Sequence, residues 1–353
     1  MFKMNTQLNI PIMDFKTIDP TRLIDSMENQ LSKDMNQNIN RLMYKKVIFN
    51  RNGSDLQPIN GWEGKVPDLK SEHFRQNKKN VPVAGIDSSC IHIAETDVGS
   101  VYAGRASAVL SQHGKLSKCF RIGPVIYYFD EIAASQLSNE LTGSNRLSKL
   151  FLLDKSFAQQ VIRERLEYSV AFELVRMMSN SIIMLDGCLK NSKYDNIKPD
   201  LRRLLEFAEK KDDTIIGLSK STQIGLLNHF SQVLYTSQNI PAYLDVNDFV
   251  SPFINNVEGH IVLVRFSSDG HPFRVDLSSF SDIKQSLSLL LSSDSFYHGY
   301  PETLRLAHHL CIFNTTQSDS IKSYLVKNMG VVEIPSEDIR HATLGSMGFR
   351  LTH

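Results

Sequence analysis

VPVAGIDSSC (Val81–Cys90) and SIIMLDG (Ser181–Gly187) are the stretches on which the fold turns, because each is a short apolar run that closes on an aspartate, Asp87 in one and Asp186 in the other. Apolar residues that run on without a helical or alternating period, between turn-forming residues, describe a strand buried on both faces, as in a parallel sheet covered by helices. A strand of this kind carries its last residue to the rim of the sheet, and here that residue is a carboxylate. Taken alone, an Asp in such a place serves equally as a turn residue or a helix cap.

Working outward from the first stretch, two further β-rich runs, SVYAGRASAVLS and KCFRIGPVIYYFD, suggest that VPVAGIDSSC opens a set of three neighbouring strands joined by short turns. From Lys155 to Ser179 no Gly or Pro interrupts the chain, and Leu166, Val170, Leu174 and Met178 recur at every fourth position, which predicts a helix leading directly into the Asp186 strand. A helix (Pro199–Lys211), a strand (Thr214–Lys220) and a helix (Thr222–Tyr235) then alternate, as for strands added in parallel through helical crossovers. Beyond Asp245 the pattern gives a hairpin turning near Asp269-Gly270 and helices around Ser281–Leu291, Pro301–Phe313 and Ser318–Lys327. Ahead of all this, Leu23, Met27, Leu31, Met35, Ile39 and Met43 stand four apart in an amphipathic helix reaching to about Lys46, followed by a Gly-, Asn- and Pro-rich stretch. The expected organisation is an N-terminal helical and extended arm over residues 1–80 and an α/β domain over 81–353, with a mixed sheet flanked by helices and C-terminal α+β additions. Three strands, a helix and a further strand, with carboxylates at two strand ends, is the layout of a ribonuclease H-like fold.

Composition narrows the function classes. Of 353 residues, 41% are hydrophobic and 22% charged, as in folded globular chains and unlike disordered ones. The 39 basic and 38 acidic side chains leave a net charge of +1, so any nucleic-acid site is local rather than a field of the whole molecule. Cys90, Cys119, Cys188 and Cys311 lie far apart, which excludes a zinc ribbon or disulfide framework and fits a reducing cytoplasm. No apolar run reaches signal-peptide or membrane-spanning length, so a soluble, cytoplasmic protein without a membrane is expected. The absence of GxxxxGK[ST] means the chain does not power translocation itself, and neither G-x-S-x-G nor H-E-x-x-H is present.

Fixed carboxylates at a sheet rim suit one chemistry in particular. Two divalent ions roughly 3.5–4 Å apart activate water and stabilise the leaving oxygen in phosphodiester hydrolysis, and Mg²⁺ and Mn²⁺ take oxygen ligands without needing cysteine. Lys220, at the end of TIIGLSK, lies near the same edge and is placed to neutralise phosphate, or else is a surface lysine flanking a helix. Lys190, Lys193, Lys198, Arg202 and Arg203, just downstream of Asp186, form a basic patch able to track a phosphate backbone, although many such clusters are only solvated faces.

GIDSS, IIMLDGCLK, IIGLSKS and GYPETLRLAHH, spanning roughly residues 80–312, occur in the order and setting of the motifs of the NurA family, which the chain resembles. NurA proteins are nucleases that form ring-like dimers, use Mn²⁺ or sometimes Mg²⁺, and act with a HerA-type hexameric ATPase in DNA end resection. The resemblance therefore implies a metal-dependent deoxyribonuclease, a homodimer acting on DNA beside such an ATPase, in repair or in defence against foreign DNA. It assigns Asp87 and Asp186 as metal ligands and adds an acid on the preceding helix. Glu167, at the edge of that helix's inward stripe, fits the motif register, with Glu164 and Glu173 as rivals, and all three are able simply to pair with Arg163, Arg165 or Arg176. The late motif contributes Tyr300 and His308, the latter in preference to His309, as a phosphate donor and as a metal ligand or proton carrier. Ser88 stands where many relatives have Gly, and Cys188 where Ser or Pro is common. Two rivals remain from other classes: a non-catalytic DNA-binding ring that docks on the ATPase, and another ribonuclease H-like nuclease acting on RNA.

Overall fold

Ile86 pairs with Leu185 in a parallel ladder, so the residues that follow them, Asp87 and Asp186, stand abreast, Asp186 at the end of its strand and Asp87 within a longer one that runs on to Glu95, which corrects the strand end expected for it. The surrounding architecture comes from a computed structural model, which describes residues 46–49, 69–190, 200–220, 225–251, 254, 257–278 and 281–334.

Strands β1 (Lys46–Phe49) and β2 (Glu72–His73) precede three long strands, β3 (Val83–Glu95), β4 (Gly99–Gln112) and β5 (Lys115–Asp130). Helices α1 (Glu131–Thr142), α2 (Ser148–Leu153) and α3 (Lys155–Met177) lead to β6 (Ile182–Asp186), followed by α4 (Asp200–Glu209), β7 (Thr214–Ser219) and α5 (Gly225–Thr236). Then come β8 (Ala242–Asp245), α6 (Asn247–Val250), β9 (Gly259–Arg265), β10 (Phe273–Ser278) and α7 (Ile283–Ser293). The hairpin β11 (Phe296–Tyr297) and β12 (Tyr300–Pro301), α8 (Glu302–Cys311), α9 (Thr315–Met329) and β13 (Val332–Glu333) complete the described chain.

The heart of the mixed sheet runs β5-β4-β3-β6-β7: three antiparallel strands, then two added in parallel. This is the ribonuclease H-like arrangement. Beyond β7 the order continues β10-β9-β8-β2, all antiparallel, while β1 pairs with the far end of β3.

Alternation along the strands divides the core in two. Ala84, Ile86, Ile183 and Leu185 face α3 and pack with its Leu166, Val170 and Leu174. Val83, Ile182, Met184, Ile216 and Leu218 face the other way, against Leu287 and Leu290 of α7 and Leu304 of α8. Helix α3 starts where Asp154 caps it, accepting from the Phe157 N–H at 3.0 Å. Helix α8 comes unusually close to β3. A Cβ on Gly85 would stand 2.6 Å from backbone atoms of Thr303 and Leu304, so the approach depends on the missing side chain.

The strand–helix–strand alternation after Asp186, the hairpin and the last helices fall where the sequence places them, to within a few residues. Three points differ. Lys46 opens a strand rather than closing a helix, and the rest of the N-terminal helical pattern lies outside the described residues. The three leading strands are longer than their apolar runs, and α1 and α2 fill a stretch that the sequence left unassigned. Among the described residues no helix is long and apolar enough to cross a membrane.

Candidate active site

Asp87 shares its face of β3 with Gly85 and points toward α8, where His308 Nδ1 lies 2.6 Å from its Oδ2. The backbone N–H of Ser88 donates to the other oxygen, Oδ1, at 2.7 Å. Asp186, on the same face of β6, is bracketed by the remaining groups: Lys220 Nζ at 2.8 Å from Oδ2, the Tyr300 hydroxyl donating to Oδ1 at 3.2 Å, and His308 Nδ1 at 3.7 Å from Oδ2. The geometry thus brings Asp87, Asp186, His308, Tyr300 and Lys220 to one point where β6 and β7 end beside the longer β3. After Asp186 the chain leaves the strand through Gly187 at φ 127°, a conformation that favours glycine.

Glu167 approaches from the opposite face. It projects from α3 and accepts from Ser88 Oγ at 2.6 Å, Ser88 being the residue next to Asp87 and turned the other way by strand alternation. Of its rivals, Glu173 pairs with Arg176 and Glu164 accepts from Gln160. The pairing with arginine foreseen for Glu167 is also present, since Arg163 Nη2 stands 3.8 Å away. His309 is exposed.

Electrostatically the cluster is short of positive charge. Burial, then the neighbouring Asp186 charge, raises the pKa of Asp87, against the lowering effect of the His308 hydrogen bond. Burial pushes the Glu167 carboxyl up to about 8 although Arg163 acts the other way, and Asp87 and Asp186 add to the rise. Burial and the charge of Asp186 likewise raise Tyr300, which stays a phenol and a donor. Buried carboxylates that hold one another's protons are what a multivalent cation relieves. The donor set, carboxylate oxygens with one imidazole nitrogen, suits Mg²⁺ or Mn²⁺. Cys311 Sγ also lies within 4.8 Å of ligand atoms of Asp87 and His308. Burial raises its pKa, however, and the thiol donates to the His308 carbonyl at 3.2 Å, so it remains protonated and a poor ligand for a hard ion.

A second layer fixes these groups in place. The loop after Asp186 is held by Asp276, wholly buried, whose Oδ2 accepts from the Leu189 N–H at 3.0 Å while both carboxylate oxygens take Arg274 at 2.7 and 2.8 Å. Asp294 secures the start of α8 by accepting from Thr303 Oγ1 at 2.6 Å. Ser107 Oγ of β4 donates to the Ala307 carbonyl at 2.5 Å, next to His308.

Of the basic patch, Lys193 and Lys198 lie outside the described residues. Lys190 bridges to Val257, Arg203 is exposed, and Arg202 is committed to Glu258 through Nη2 at 2.8 Å and Nε at 3.2 Å. Three residues of the site went unselected in the sequence. Ser88 was noted only as a departure and Arg163 only as a possible partner, although the Arg163–Glu167 spacing of one helical turn was a signal. Cys311, three residues after His308, had the same kind of signal.

No family model matches the sequence, and no curated protein matches it. Among solved structures, the NurA nuclease from Sulfolobus solfataricus is similar at 14% identity over 89% of this chain and 96% of that one, with a TM-score of 0.42. A second NurA structure gives 11% identity, 88% and 96% coverage and a TM-score of 0.44. Endonuclease V from Bacillus subtilis gives 13% identity, 74% and 88% coverage and a TM-score of 0.36. These are similarities of chain path at low identity, and the roles of the residues rest on the geometry of the site.

Proposed function

We propose that the chain is a metal-dependent nuclease that hydrolyses phosphodiester bonds of DNA at the rim formed by Asp87 and Asp186. The observation that carries this reading is the side-by-side placement of the two carboxylates on paired parallel strands, with His308, Tyr300 and Lys220 closing on them from elsewhere in the chain. A scaffold needs no such cluster, and gathering these buried charges costs stability unless a cation compensates them.

Asp87, Asp186 and His308, with Glu167 from the α3 side, would hold Mn²⁺ or Mg²⁺, in one or two ions. When bound, such an ion supplies Lewis-acid stabilisation of the phosphate and a water acidified toward neutral pH. The protein's own groups have separable tasks. Tyr300 keeps its proton and donates to Asp186 or to a phosphate oxygen that takes its place. Lys220 balances the charge of Asp186 and of the strand. His308 orients Asp87 through Nδ1. Lys190 and Arg203 extend the contact along the phosphate backbone. The order and wording of the NurA-like motifs support the finer part of the proposal: a homodimer that works beside a HerA-type hexameric ATPase in DNA end processing, repair or defence against foreign DNA.

Incubating the purified protein with labelled single-stranded DNA, duplex DNA and RNA, in Mn²⁺ or in EDTA, tests the reading. DNA cleavage that needs Mn²⁺ and disappears in Asp87→Ala is expected. Cleavage of RNA alone, or of nothing even with the ATPase present, would overturn it.

A further inference from the structure

We infer that Arg163 is a phosphate-binding residue of this site, its guanidinium gripping non-bridging oxygens of the bound strand; the inference rests on the nuclease reading above. Arg163 lies on α3 one turn before Glu167, and its stem is anchored. Nε donates to the Ser88 carbonyl at 3.2 Å, and Ser88 Oγ lies 3.2 Å from the Arg163 carbonyl. Its far end holds only a loose ion pair, without a hydrogen bond. Nη2 stands 3.8 Å from Glu167 Oε1, outside hydrogen-bonding distance, and the side chain is 45% exposed. Among the described residues, neither Nη1 nor Nη2 donates a hydrogen bond.

Elsewhere in the molecule, arginines that serve as counterions close on their carboxylates. Arg202 reaches Glu258 at 2.8 Å, Arg274 reaches Asp276 at 2.7 and 2.8 Å, and Arg305 reaches Glu302 at 2.6 and 2.7 Å. Arg163 stops short, and Glu167 takes its close contact from Ser88 instead. A guanidinium tethered at Nε with its two outer nitrogens free presents the fork that fits a pair of phosphate oxygens. Lys220, the other cation at the cluster, is already engaged with Asp186. Arg163 is therefore the group on the α3 side with donors to offer the substrate.

The test is fluorescence anisotropy of a short labelled oligodeoxythymidylate, in EDTA and over a series of salt concentrations, with wild type, Arg163→Ala, Arg163→Lys and Glu167→Gln. Arg163→Ala should bind roughly ten-fold more weakly. Its dependence of log affinity on log salt should be shallower by about 0.7, the loss of one phosphate contact to a single strand. Arg163→Lys should keep the salt slope while binding with intermediate affinity. Calorimetric Mn²⁺ binding should be unchanged or tighter in Arg163→Ala and weaker in Glu167→Gln. Wild type that binds the oligonucleotide alongside an Arg163→Ala of equal affinity and slope would overturn the inference alone. So would an Arg163→Ala that loses Mn²⁺ binding as Glu167→Gln does but keeps its DNA affinity, because Arg163 would then only position Glu167. Wild type that binds no oligonucleotide in EDTA and cleaves none in Mn²⁺ would instead remove the nuclease reading itself.

Discussion

His308 Nδ1 and Asp87 Oδ2 lie 2.6 Å apart although 221 residues separate them in the chain. The contact exists because α8 lies against β3 at Gly85, two residues before Asp87 on the same face. Replacing Gly85 by Ala sets a methyl group against the backbone of Thr303 and Leu304. The helix has to move, at a cost of about 1–3 kcal/mol by the usual scale of overpacking. We expect a lower thermal midpoint, weaker Mn²⁺ binding and reduced cleavage together. Stability lost with metal affinity intact would show that the close approach serves packing alone.

Asp87→Asn and Asp186→Asn should separate stability from activity. Each removes one of two adjacent like charges, Asp87 buried and Asp186 half-buried, so the metal-free protein should be about as stable as wild type, with any gain, of about 1 kcal/mol, larger for Asp87→Asn because Asp186 already pairs with Lys220. Cleavage should fall by ~10³-fold or more, because an ion's stabilisation of the reacting phosphate is worth several kcal/mol. Urea denaturation in EDTA and a cleavage assay in Mn²⁺ measure the two effects. Wild-type activity in either variant removes that residue from the site.

The buried Arg274–Asp276 pair makes a sharper structural prediction. Asp276→Leu leaves the Arg274 guanidinium charged and unpaired in a place where both side chains are at most 7% exposed, and it leaves the Leu189 N–H without its acceptor. Breaking one side of such a pair costs about 3–5 kcal/mol, while Arg274→Met with Asp276→Leu should recover most of that. Denaturant midpoints of the two single variants and the double variant give the coupling directly. Additive losses would mean the pair is not a unit.

Asp213 gives the clearest expected pH dependence of stability. Its Oδ1 accepts from the Ser181 N–H at 2.9 Å and the Ser181 hydroxyl at 2.6 Å, its Oδ2 has no hydrogen-bond partner among the described residues, and the residue is 6% exposed. Burial lifts its pKa to about 6 from 3.8, against the lowering effect of the Ser181 bonds. A carboxyl whose folded-state pKa is raised contributes stability that is complete below the unfolded value and is lost as pH rises through the folded one. Asp213→Asn keeps an oxygen for Ser181 and does not ionise. Relative to wild type it should gain on the order of 3 kcal/mol between about pH 4 and about pH 7. A difference between the two proteins that stays constant with pH in urea titrations would refute the assignment.

Much of the site was legible because it follows simple periods. Asp186 closes the apolar run that forms its strand, Asp87 follows an apolar run inside a strand that continues to Glu95, and Glu167 sits at the edge of an unbroken four-residue repeat. The same periods concealed other parts. Helix α1 buries Ala133, Ala134, Ser138 and Leu141, and a face built mostly from small residues leaves little apolar rhythm to read. Strand β3 continues past the run that ends at Cys90 as far as Glu95, because polar Asp87, Ser88 and Ser89 read as the end of an apolar strand although Asp87 and Ser88 are themselves buried. Arg163 escaped selection because a cation one turn before a glutamate reads first as a helix ion pair. Only the 3.8 Å gap to Glu167 distinguishes it.

The abreast pairing of β3 with β6 makes the catalytic proposal a matter of phase. Successive residues of a strand look to opposite sides, so a single-residue insertion between Val83 and Ile86 that kept the ladder aligned upstream would carry one carboxylate through to the α3 side and leave the other behind. Loops around these strands are free to drift in length. The count of residues within them is not, and that parity is what a designer transplanting this rim into another sheet would have to preserve.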